Sequence, residues 1–237
     1  MIYKLKLDHI LFLDIETVPE VEHFGDMDAD MQSYFEQKTK YQRKDDFTAE
    51  EFYDRAGIWA EFGKIITISV GYFVTKADIR NFRVTSFFGE EKQILHDFSN
   101  LLQNHFNQPQ HLLCGHNLKE FDVPFIARRM IINGMRLPVK LDLFGKKPWE
   151  IPHIDTLELW KFGDYKHFTS LKLLTKILGI PSPKDDIDGS EVAGVYYKEK
   201  NIDRIITYCE KDVIAVAQIF LKLKREDLLV ADEILHV

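Results

Sequence analysis

Hydrophobic positions recur along this chain in two rhythms, and their order predicts strands first and then strand–helix alternation. Residues 9–15 (His-Ile-Leu-Phe-Leu-Asp-Ile) are apolar on both alternating faces, the pattern of a strand buried in the middle of a sheet. Residues 64–74 and 79–88 are β-rich and separated by a short segment, which predicts a hairpin. The period then changes: Ile94, Leu95, Phe98, Leu101, Leu102 and Phe106 fall at helical spacing within 90–106. A short apolar strand over 111–114 breaks at Gly115, and a helix follows over about 122–132 with Pro124 tolerated in its first turn. Ser170 is placed to cap a helix running to Leu178, which Gly179 and Pro181 end, and Ser190 is placed to cap another. The last helix, over about 202–222, buries Ile202, Ile205, Ile206, Cys209, Val213, Val216 and Phe220. The reading is an α/β fold, a mixed sheet flanked by helices, in one domain over 1–237. Residues 20–58 depart from both rhythms, being acidic, polar and rich in Phe and Tyr, and are read as a helical insertion after the first strand.

Composition changes this picture little. The chain is 45% hydrophobic and 29% charged, ordinary for a globular protein with a proper core. No apolar run approaches the roughly 20 residues of a membrane span, and the N-terminal apolar run ends in acids rather than a small-residue cleavage site. The two cysteines, Cys114 and Cys209, form no C-x-x-C pair, so neither a disulfide framework nor a zinc ribbon is expected. A cytoplasmic protein with no membrane association is the expectation. The net charge of −7 argues against a surface built to grip phosphates over a wide area. It leaves room for a nuclease, because carboxylates that gather divalent metals count as charge only until the metals bind.

Three signals carry chemistry. Asp14 and Glu16 lie two apart on the predicted central strand, so both carboxylates project from one face where that strand ends. Tyr208 and Asp212 lie four apart, one turn along a single helix face beside the buried stripe. Between them in the chain, Gly115-His-Asn-Leu-Lys-Glu-Phe-Asp122 runs from a strand end to a helix start. Each signal alone admits a plain reading: solvated acids at a strand exit, an acid on an amphipathic helix, an aspartate that caps or complements a helix dipole. Four acids without a companion His or Cys cluster suit hard ions such as Mg²⁺ or Mn²⁺.

Taken in order, D-x-E, N-x3-F-D and Y-x3-D resemble the three exonuclease motifs of the DEDD superfamily, most closely the proofreading domain of family B DNA polymerases and the stand-alone bacterial exonucleases related to it. The resemblance rests on Phe12-Leu13-Asp14-Ile15-Glu16-Thr17, Gly63-Lys64-Ile65-Ile66-Thr67-Ile68-Ser69, Gly115-His116-Asn117 through Phe121-Asp122 with Phe125, Ile126 and Arg128, and Tyr208-Cys209-Glu210-Lys211-Asp212. It spans roughly residues 8–222 apart from the insertion. Thr207 stands where the histidine branch of the class carries its base, so the chain is of the tyrosine type.

The resemblance implies a ribonuclease H-like fold and metal-dependent 3′→5′ hydrolysis of single-stranded nucleic acid, DNA foremost, to nucleoside 5′-monophosphates. Two ions about 3.5–4 Å apart would act on the attacking and leaving oxygens once substrate is bound. It implies catalytic roles for Asp14, Glu16, Asp122, Tyr208 and Asp212, the four acids as metal ligands, and Glu16 as acceptor for the terminal 3′-hydroxyl. Substrate contacts are implied at Thr17, Asn117 and Phe121, where core packing is the plain alternative for Phe121. Lys184 is a candidate phosphate contact in its loop, as against an ordinary solvated lysine. Asp155 and His116 read better as a helix cap and a packed loop histidine. Trp149 beside Lys146 and Lys147 is either a base-stacking residue or a partly buried Trp. The competing functions are an exoribonuclease or RNA-trimming enzyme, a catalytically silent binding module with the same fold, and the nuclease subunit of a complex whose partner docks on the insertion.

Overall fold

The N-terminal apolar run becomes the centre of a six-stranded sheet. The computed structural model describes residues 2–43, 46–77, 79–164, 166–181 and 187–237. Its strands are β1 (Ile10–Pro19), β2 (Gly63–Lys76), β3 (Ile79–Phe88), β4 (Leu112–Gly115), β5 (Ile154–Asp155) and β6 (Ile234–His236), in the spatial order β5-β4-β1-β2-β3-β6. β1, β2 and β3 form an antiparallel meander, while β4 runs parallel to β1, β5 to β4 and β6 to β3. The hairpin expected over 64–88 is present, and the two outermost strands are too short for alternation to announce them in the sequence.

The helices are α1 (Ala29–Arg43), α2 (Glu91–Asn104), α3 (Asp122–Ile132), α4 (Thr156–Lys161), α5 (Leu171–Ile177), α6 (Val192–Gly194) and α7 (Ile202–Lys224), with a π-helical turn at Val195–Glu199 between the last two, and α2, α3 and α7 cover the two faces of the sheet. On one face, Leu11, Leu13 and Ile15 pack with Ile68 and Val70 against Ile94, Leu95 and Phe98 of α2 and Val123, Phe125 and Ile126 of α3. On the other, Ile10 and Phe12 meet Val213, Val216 and Phe220 of α7. Phe12 sits edge-on to Phe73, Phe82 and Phe220, an arrangement that aromatic quadrupoles favour. A Cβ on Gly71 of β2 would lie 2.2 Å from the Phe82 ring and 2.9 Å from Val213, so glycine here lets α7 press onto the sheet. The first turn of α7 reaches beyond that core to a smaller cluster around Val18, Ile66 and Val192, and Ile202 and Ile206 remain half-buried where full burial was expected.

Residues 20–58 hold α1 and 3-10 turns at Phe24–Asp26 and Tyr53–Ile58. Their aromatic residues form a core of their own around Phe35, Phe52 and Tyr53, closed by Phe62. The Thr17 hydroxyl ties this unit to β1 by donating to the Gly57 carbonyl at 2.7 Å. Ser170 caps α5 as expected, accepting from Leu173 N–H. Ser190 caps nothing: its hydroxyl donates to Asp188 Oδ1, closing a polar turn, and α6 starts only at Val192.

Candidate active site

Alternation along β1 puts Phe12, Asp14 and Glu16 on the face that α7 covers and Ile15 on the opposite one, buried in the α2–α3 core. The two acids stand midway along β1 and not at a strand end as expected, because Thr17, Val18 and Pro19 continue its pairing with β2. The β1–β2 register slips between Glu16 and Thr17, leaving Ile66 unmatched, a bulge of the kind that re-aims side chains beside active sites. Opposite Glu16 lies Thr67, fully buried, whose hydroxyl makes no hydrogen bond among the described residues.

The middle motif arrives from β4. Gly115 ends that strand so close to Leu118 and the Leu13 carbonyl that a Cβ would lie 2.7 Å from Leu118 Cδ1. Asn117 then turns the chain through the left-handed region at φ 65°, which Asn tolerates better than most residues. Asp155 holds the loop: its carboxylate accepts from Asn117 and Lys119 N–H at 2.9 and 3.1 Å while capping α4 through Leu157 and Glu158 N–H. The cap expected there is present, and it also clamps the middle motif. The loop delivers Asp122, buried at the first position of α3, with the Ile15 backbone bonded to its carboxyl group. The third motif comes from α7, where Tyr208 and Asp212 flank the buried Cys209 and the Tyr208 hydroxyl bonds to Asp212.

The five residues therefore converge, and their charges register it. Burial, then the charges of Asp122, Glu16 and Asp212, push the Asp14 carboxyl well above the carboxylate range. Burial, then Asp212 and Asp122, do the same to Glu16. Asp122 is pushed up to about 7, burial again leading and Asp155 adding to it. Tyr208 is raised by burial and then by Asp212, Glu16 and Asp14, so its phenol keeps its proton. Such a group is costly to ionise unless a cation joins it.

These residues fit a hard divalent cation. They offer clustered oxygen donors, mutual repulsion that a cation would relieve, and the unsatisfied Thr67 hydroxyl beside them. Asp14, Glu16 and Cys209 bring ligand atoms within 4.8 Å of one another. Burial and the neighbouring acids hold the Cys209 thiol protonated, which makes it a hydrogen-bond donor here rather than a thiolate ligand.

The substrate residues expected from the sequence separate into groups. Asn117 is half-buried at the mouth of the middle loop. Phe121, also half-buried, turns toward Phe125, ring centroids 5.5 Å apart, and packs on the α2–α3 core. The Thr17 hydroxyl spends its proton on Gly57, so only its lone pairs remain for a substrate. Lys184 lies outside the described residues. His116 is held by Thr156 and the Thr169 carbonyl, the packed histidine expected. Trp149 is 77% exposed with Lys147 Nζ over its ring, not partly buried. Beside Tyr208 and Asp212 opens a cavity of about 270 Å³ lined by Ser170, Lys172, Thr175, Ile187 and Asp188. Thr67 and Ser69 enter the sequence reading only within the second strand's resemblance and without a role, although polar residues two apart in the apolar run 65–74 mark a strand face that does not wholly face a core.

A sequence profile described as a predicted 3′-5′ exonuclease related to the exonuclease domain of PolB matches residues 58–231, which include the second and third motifs and leave the first to the geometry. No curated protein matches the chain. Among solved structures it is similar to the family B DNA polymerase of the hyperthermophilic archaeon Pyrobaculum calidifontis (TM-score 0.50, 14% identity), over 90% of this chain and 24% of the polymerase. The chain thus spans about a quarter of the length of that polymerase, and the likeness shows a ribonuclease H-like fold. The RNase domain of the yeast Pop2 protein is also similar, at TM-score 0.48 and 13% identity, over 94% of this chain and 80% of that one. No helix among the described residues is long and apolar enough to cross a membrane. The chain belongs to the family of predicted 3′→5′ exonucleases related to the exonuclease domain of PolB.

Proposed function

We propose that this protein hydrolyses single-stranded nucleic acid, DNA foremost, from its 3′ end, releasing nucleoside 5′-monophosphates by a two-metal mechanism. The observation that carries the reading is the convergence of Asp14, Glu16, Asp122 and the Tyr208–Asp212 pair midway along the central strand, with carboxyl groups held above their ordinary range by burial and neighbouring acids. The family's relation to a DNA polymerase domain favours DNA.

Asp14, Glu16, Asp122 and Asp212 would hold the ions, with Asp14 the most central because its charge environment includes all three other acids. Bound Mg²⁺ or Mn²⁺ would stabilise charge on the attacking and leaving oxygens and acidify water. Tyr208 keeps its proton, so it orients the attacking water by hydrogen bonding and does not act as the base. Water adds to phosphorus, the bond to the upstream 3′ oxygen breaks, and that oxygen takes a proton to become the new 3′-hydroxyl. Glu16 accepts from the terminal 3′-hydroxyl, which makes the site select chain ends. A 3′-phosphate would set negative charge against that carboxylate where screening is weak.

The test uses 5′-labelled single-stranded DNA and RNA with free or phosphorylated 3′ ends, digested with Mn²⁺ or with chelator. The expected result is a ladder shortening one nucleotide at a time, only with metal and a free 3′-hydroxyl. Internal cuts on a circular single strand would overturn the exonuclease reading.

A further inference from the structure

A row of polar side chains runs from the candidate metal ligands to the far edge of the sheet. Asp14, Ser69 and Ser86 are register partners on β1, β2 and β3, which places them side by side on the face under α7. The next row on that face is apolar, with Phe12 and Val84 flanking Gly71. Ser69 is fully buried, and its hydroxyl lies 2.8 Å from that of Ser86. Ser86 donates to Glu210 Oε1 at 2.8 Å, and Glu210 Oε2 lies 2.7 Å from His236 Nδ1 on β6. From α7, Cys209 Sγ approaches Asp14 Oδ2 at 3.4 Å and the Asp14 carbonyl at 3.5 Å.

Hydrogen counting gives this row a direction. A serine hydroxyl has one proton. Ser86 spends its own on the Glu210 carboxylate, so Ser69 donates to Ser86. Ser69, whose side chain is hydrogen-bonded to Cys209, then has no proton to give the sulfur, and the thiol proton goes to the Asp14 carboxylate, a stronger acceptor when ionised than the neutral Ser69 oxygen. We propose that Cys209, seated by the Ser69–Ser86–Glu210 row, is a positioning residue for Asp14, fixing the plane of the carboxylate that the metal ions would share. Partners of this kind behind a ligating carboxylate set its orientation and tune metal affinity. The inference rests on Asp14 being a metal ligand, as proposed above.

The experiment measures Mn²⁺ affinity without substrate, by electron paramagnetic resonance of the free ion, together with the Mn²⁺ concentration giving half-maximal hydrolysis and the metal-free melting temperature. Cys209→Ala is expected to weaken Mn²⁺ binding about 10-fold, the low end for a ligand's supporting partner because a thiol is a weak donor. The half-maximal concentration should rise in step. Cys209→Ser restores a donor and should return both values close to wild type. Ser69→Ala should show a smaller loss in the same direction, and it carries the test if Cys209→Ala does not fold. Unchanged Mn²⁺ affinity in Cys209→Ala and Ser69→Ala, with binding lost in Asp14→Ala, would overturn the positioning role and leave the metal site standing. Equal loss in Cys209→Ala and Cys209→Ser would assign the effect to packing and overturn it too. Mn²⁺ binding by Asp14→Ala as tight as wild type would instead remove the metal reading on which the inference rests.

Discussion

The two faces of β1 are made from one ten-residue strand, yet they do different things. On the α2–α3 face, Leu11, Leu13 and Ile15 are buried among aliphatic and aromatic neighbours. On the α7 face, Ile10 and Phe12 are equally buried, but the next two positions are Asp14 and Glu16, and the facing β2 positions are Ser69 and Thr67. The first face stabilises the sheet by removing apolar area from water. The second is apolar as far as Phe12, gathers at Asp14 and Glu16 like charges that burial makes costly, and turns apolar again at Val18. The strand is anchored by one face, which lets the other carry a destabilising constellation at a fixed place.

Substitutions on the two faces should therefore have opposite signatures. Asp14→Ala is expected to abolish hydrolysis while leaving the metal-free melting temperature unchanged or raised, because one repelling acid is gone. Leu13→Ala, one residue away, should cost about 2–5 kcal/mol of stability through lost burial and a cavity. Paired turnover and thermal-melt measurements check both, and retained turnover in Asp14→Ala would end the distinction. Tyr208→Phe removes one hydroxyl, so turnover should fall about 10–10³-fold with Mn²⁺ affinity retained. A wild-type rate across the pH range would make the tyrosine structural.

Stability against pH sharpens the comparison further. Asp122 rises from an ordinary 3.8 to about 7 in the folded protein, and Asp14 and Glu16 shift in the same direction. Folding therefore takes up protons, so stability from these groups is complete below about pH 4 and is lost as pH rises through about 7. The metal-free melting temperature should fall from pH 5 to pH 8, and Mn²⁺ should restore it most at the upper end. In Asp14→Ala both slopes should flatten, and an unchanged slope would show that other groups govern it. The smallest expected effect is at Thr67, where Thr67→Val replaces an unsatisfied buried hydroxyl with a group of similar shape. Metal-free stability should hold or rise by about 1 kcal/mol, read by denaturant melts.

Much of this was legible in the sequence, for physical reasons that differ by element. β1, the hairpin, α2, α3 and α7 follow from periodicity because each has a face or stripe that must be buried. Asp14 shares a face with Glu16 and Tyr208 with Asp212 by their spacing, Asp122 stands at a helix start, and the resemblance of the three motifs in order singled the five out; the structure brings them together. Asp155 reads as a cap from its place before an apolar run, but its bonds to Asn117 and Lys119 depend on β5 lying beside β4, a contact no local pattern encodes. Ser190 looked like a cap by composition alone, and the nearer acceptor on Asp188 took its hydroxyl. The partnership of Ser69, Ser86 and Cys209 was not legible, since it requires the strand register and the height of α7 above the sheet.

The most direct test of the account is a crystal grown with Mn²⁺ and a nucleoside 5′-monophosphate, read by anomalous scattering from manganese. Ions are expected among Asp14, Glu16, Asp122 and Asp212, about 3.5–4 Å apart when both positions fill, with the nucleotide phosphate against them. Manganese bound elsewhere, with these four carboxylates left without a cation and the nucleotide seated away from Tyr208, would contradict it.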